Sequence, residues 1–183
     1  MALVDLDQFP EDTYRTLIAL PYRVGLYVSQ SDRTGGKSSE TQELAALENV
    51  VTFYVEDTLK SEFAQTIMLA TLQHKAYWPE WSAETESVPQ ECKTITDYLV
   101  NIIDERKLES FKSNLLEIAI TVAQAYQESA QDVSIFGKIK HALSFRSEKI
   151  AADDNIEHIN ISAAEKIAIN KLAEMMGVAQ RVA

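Results

Sequence analysis

The stretch Phe111–Gln127 (FKSNLLEIAITVAQAYQ) constrains the chain most, because its apolar residues cover nearly the whole circumference of a helix. Phe111, Leu115, Ile118, Val122 and Tyr126 recur at helical spacing. Leu116, Ile120 and Ala123 widen that face, and Asn114, Glu117, Thr121 and Gln124 occupy the narrow edge that remains. Such a helix needs neighbours on almost every side. The expected fold is an all-α single domain over residues 1–183, with roughly seven helices packed around this central one.

The surrounding sequence supplies those helices. Pro10 stands at a first helical position, followed by Glu11 and Asp12, whose charges suit the positive end of a helix. Tyr14, Leu17, Ile18 and Leu20 lead into Pro21, where a kink or break is expected before Tyr22, Val24, Leu26, Tyr27 and Val28 resume the pattern. Ser31–Ser39 (SDRTGGKSS) reads as a loop. Ser39 and Gln42 have capping-box spacing ahead of Leu44, Leu47, Val51 and Tyr54. A third helix begins near Ser61, with Phe63, Ile67, Leu69 and Leu72 as core positions, and fades near Tyr77. Trp78–Gln90 (WPEWSAETESVPQ) reads as an exposed acidic loop with its tryptophans folded back. Pro89 then opens a helix with Cys92, Ile95, Leu99, Ile102 and Ile103 facing inward and Arg106 and Lys107 at its carboxyl end. The last helix has a capping box at Ser162 and Glu165, apolar positions at Ile167, Ile169, Leu172 and Met175, and Gly177 as a left-handed cap.

Charge narrows the function classes. The formal net charge is -11, and residues 1–100 carry 16 acids against 7 bases, while 101–183 carry 12 against 10. So negative a surface repels phosphate backbones and argues against nucleic-acid binding; cations or basic proteins are the partners it favours. The single cysteine, Cys92, excludes an internal disulfide and a thiolate metal cluster. The opening MALVDLDQFPED lacks the basic and apolar regions of a signal peptide. No stretch approaches ~20 uninterrupted apolar residues, so a cytoplasmic, non-spanning chain is expected. Ile135–Lys149 is the one clearly basic segment. It reads either as an amphipathic contact with acidic lipid or protein, or as a core-packed helix whose lysines reach into water.

Two acid pairs repeat at one spacing. Asp32 precedes Glu43 by eleven positions and Asp154 precedes Glu165 by the same interval, each pair spanning an acidic loop and the first turn of a following helix. Paired oxygens of this kind suit a hard cation, calcium or magnesium rather than zinc. A twelve-residue calcium loop does not fit: its glycine position holds Lys37 or Ile159, and its third position holds Thr34 or Ile156. The same acids also serve as loop caps and helix-start charges.

The segment ADDNIEHINISAAEKIAINKLAEMMGV resembles the closing part of the TerB-like tellurite-resistance family, with its acidic turn, helix-start serine, glutamate and terminal glycine. VSQSDRTGGKSSETQELAALENVV is similar to that family's first copy. The resemblance implies an all-helical fold of two helical repeats, an accessory role in a stress response, and a divalent cation at Asp32, Glu43, Asp154 and Glu165. The chain departs from the family's compact Asp-Gly turn, with Asp32 to Gly36 in the first copy and a glycine-free loop in the second.

Two other functions compete. A metal-free helical interaction module would use the acidic tryptophan segment, with Trp78 and Trp81 as anchors, or the basic Ile135–Lys149 segment. A nucleotide-binding protein would use Ser31–Ser38 (SDRTGGKS), which has serine where a phosphate-binding loop has its first glycine. It would also need a strand before that loop and a magnesium-binding strand end at Leu99–Asp104. No catalytic motif is present: His74, His141 and His158 stand apart, and no serine has the nucleophile-elbow context.

Overall fold

Among the described residues, the apolar pattern folds as helix. The computed structural model of the chain describes residues 6–31, 47–52, 61–127 and 161–178, and among these there is no strand. The helices are α1 (Glu11–Ser31), α2 (residues 47–52), α3 (Glu62–Gln73), α4 (Trp78–Trp81), α5 (Val88–Leu99), α6 (Glu105–Gln127) and α7 (Ala163–Met175). Short 3-10 turns occupy Leu6–Gln8, Lys75–Tyr77 and Thr85–Ser87. The first member of the paired-acid repeat, Asp32 to Glu43, lies outside the described residues. So do the Ser39–Gln42 cap and the basic Ile135–Lys149 segment.

Helix α6 buries Leu108, Phe111, Leu115, Leu116, Ile118, Ala119, Ile120, Val122 and Ala123 against α1, α3, α5 and α7. Its run Ile118–Val122 contains weak helix formers, each up to about 0.7 kcal/mol worse than alanine. Burial of each large apolar side chain there contributes roughly 1.5–3 kcal/mol, so packing decides the conformation. The polar edge is itself covered: Asn114 and Thr121 are buried.

The centre is shared with α1, which packs on α3, α4, α5, α6, α7 and the Thr85–Ser87 turn. Every residue from Leu17 to Leu26 is buried. Pro21 does not split this helix, which runs on to Ser31. A proline has no N–H to offer the carbonyl four residues back. Beside that gap, the Thr71 hydroxyl on α3 lies 2.7 Å from the Ile18 carbonyl and 2.9 Å from the Ile67 carbonyl. Gly25 lets α2 and α6 approach: a Cβ there would collide with Leu47 Cδ1 and stand 3.2 Å from Val122 Cγ2.

One core runs from Leu6 and Phe9 through Phe63, Phe111 and Leu115 to Ile169, Leu172 and Met176, joining both ends of the described chain. Phe63 meets Phe9 and Phe111 edge to face, with ring centroids 6.4 and 5.9 Å apart. A second core gathers Tyr22, Leu26, Leu47, Val50, Val51, Met68, Trp78, Ile118 and Val122.

Three sequence expectations are corrected. Helix α5 ends at Leu99, leaving Ile102 exposed and Ile103 half-buried, and Arg106 and Lys107 stand in the first turn of α6. The cause is Asp104, whose Oδ1 accepts the Lys107 amide at 2.9 Å and starts a new helix where the apolar period would have continued the old one. Trp78–Gln90 is not a loop but a chain of helical turns leading into α5, with Pro89 at the start of α5. Ile167 faces outward at 72% exposure, whereas Ile169 and Leu172 are buried.

Candidate functional site

Of the four predicted cation ligands, Glu165 lies within the described residues; Asp32, Glu43 and Asp154 lie outside them. Ser162 caps α7: its Oγ accepts the Glu165 amide at 3.2 Å, while Glu165 Oε2 accepts the Ser162 amide at 2.9 Å. Both orphan donors are thereby satisfied. Glu165 is only 2% exposed. At the other end Gly177 adopts φ +67°, its amide donates to the Glu174 carbonyl, and the Val178 amide donates to that of Ala173. This is the Schellman pattern expected of a helix closed by glycine. Among the described residues, no three histidine, cysteine or acidic side chains gather where they could hold a metal ion.

The phosphate-loop geometry finds a helix on its amino side, since Ser31 is the last residue of α1; Lys37 lies outside the described residues. Leu99–Asp104 is the turn between α5 and α6 rather than a strand end. Asp104 is engaged there: the Lys107 amide, and then its ammonium 3.1 Å from Oδ2, hold the carboxyl below its ordinary range.

Among the described residues, His74, Cys92, Trp78 and Trp81 serve the fold. His74 Nδ1 lies 2.9 Å from the Ala70 carbonyl at the end of α3. Cys92 is buried, and burial pushes its thiol far above the usual range; Glu91 adds to this and Arg23 opposes it. A thiol in that setting is a small apolar core group rather than a nucleophile. Trp78 is buried and stacks on Tyr22 at 4.5 Å, while Trp81 is half-buried. Tyr22 reaches Ser82 Oγ at 2.9 Å, and Trp78 Nε1 donates to the Thr71 carbonyl at 3.2 Å.

Among the described residues, the most developed polar cluster surrounds Arg23, which the sequence pattern did not single out. It is 8% exposed, in the middle of the buried span of α1. Nε and Nη2 grip the Glu91 carboxylate at 2.9 and 2.8 Å, in the paired geometry that suits a guanidinium. Nη1 donates to the carbonyls of Trp81 and Ala83 at 2.5 and 2.9 Å, and Nη2 also reaches the Glu84 carbonyl and Ser87 Oγ at 3.2 Å. All five N–H groups are engaged, so none remains for an anionic ligand. Arg23 instead fastens the 81–87 segment, in which Glu84 adopts φ +51°, unusual for a residue with a Cβ. Glu80, Glu84 and Glu86 lie exposed along this ridge. A lone arginine in an apolar helical run was the available signal, because a buried cation requires acceptors.

No protein-family model matches the chain, and no curated protein or solved structure shows significant similarity to it. Among the described residues, no helix is long and apolar enough to cross a membrane.

Proposed function

We propose that the chain is a helical protein–protein interaction module that presents the acidic Glu80–Glu86 ridge to a basic partner. The Arg23 clamp carries this reading. A ridge whose Trp81, Ala83 and Glu84 carbonyls are already held by one buried guanidinium loses little freedom on docking. The net charge of -11 favours encounter with a basic surface. A cytoplasmic setting accords with the one unpaired, buried cysteine. Combining Glu80→Lys with Glu84→Lys reverses charge without removing the Glu84 carbonyl that Arg23 uses, so the melting temperature should hardly move. In affinity capture at low ionic strength, the native chain should retain a basic protein that the variant and added salt both release. Capture indifferent to both changes would refute the ridge as the docking surface.

A second reading is a TerB-like accessory protein that binds a divalent cation in a stress response. It is supported by the helix-start serine, the glutamate and the terminal glycine of α7, which together form the capped helix that the resemblance implies. Glu165 is buried and its Oε2 accepts the Ser162 amide in the cap. Glu165→Gln separates its two roles, because glutamine sustains a capping box and removes the charge. With calcium, magnesium, manganese or zinc added to chelated protein, a bound ion at 100 times its dissociation constant should raise the melting temperature by about 5–10 °C. Glu165→Gln and Asp154→Ala should each abolish that rise. An ion response that survives both substitutions removes these ligands; no response to any ion removes the cation altogether.

A further inference from the structure

We draw no further inference here: the strongest candidate, the exposed apolar side chains Val100 and Ile102 in the turn between α5 and α6, carries nothing because nothing in the structure shows what covers them.

Discussion

Arg23 and Glu165 show two fates for a buried charge. Glu165 is engaged within its own helix start, and the Ser-x-x-Glu spacing announces that in the sequence. Arg23 draws its acceptors from residues 58 to 68 positions away, and several of them are main-chain carbonyls, which leave no letter in the sequence. The clamp was illegible for that reason, although the need for some partner could be read. Replacing Arg23 with methionine would keep much of the buried stem but strip the donors from Trp81, Ala83 and Glu84. The expected loss is about 3–5 kcal/mol, a large fraction of the ~5–15 kcal/mol by which domains are usually stable. Urea denaturation of Arg23→Met checks it. A loss under ~1 kcal/mol would mean that water replaces the guanidinium at little cost.

Among the elements, α7 was legible from its capping box and closing glycine, and the Phe111–Gln127 body of α6 from its apolar periodicity. The boundary between α5 and α6 was not: Ile102 and Ile103 keep the apolar period of the preceding helix, and only the side-chain cap of Asp104 overrides it. The Trp78–Ser87 turns lack periodicity and contain Pro79, so their order comes from Arg23 and from the Tyr22–Trp78 stack rather than from local propensity. Helix α1 runs through Pro21, and the fully buried Thr71 hydroxyl of α3 lies within bonding distance of the Ile18 carbonyl. Thr71→Val keeps the shape and removes that hydroxyl. It should cost about 1–3 kcal/mol, read as a lowered thermal midpoint, with the helical circular-dichroism signal unchanged below the transition. An unaltered midpoint would show that the Ile18 carbonyl does not depend on Thr71.

For the whole molecule, burial raises the proton affinities of Tyr14, Tyr22, Tyr27 and Cys92 together. Unfolded, these groups lose protons near their ordinary values of 10.0 for tyrosine and 9.0 for cysteine, while the native state still holds them. The unfolded chain then binds fewer protons, so stability falls as pH rises above about 9, by at most about 1.4 kcal/mol per pH unit for each group. Melting curves from pH ~7 to ~10.5 should show that decline, and Cys92→Ala should flatten part of it; an unchanged midpoint across the range would contradict this linkage. The long reach of Arg23 also bears on how the chain assembles. Its acceptors are synthesised well after α1, so until they arrive α1 holds an uncompensated cation in the span that the core must bury. Closing the loop between α1 and these acceptors costs chain entropy, which the clamp and the core contacts around it must offset. A nascent chain that has not yet reached Glu91 therefore lacks the means to complete its core.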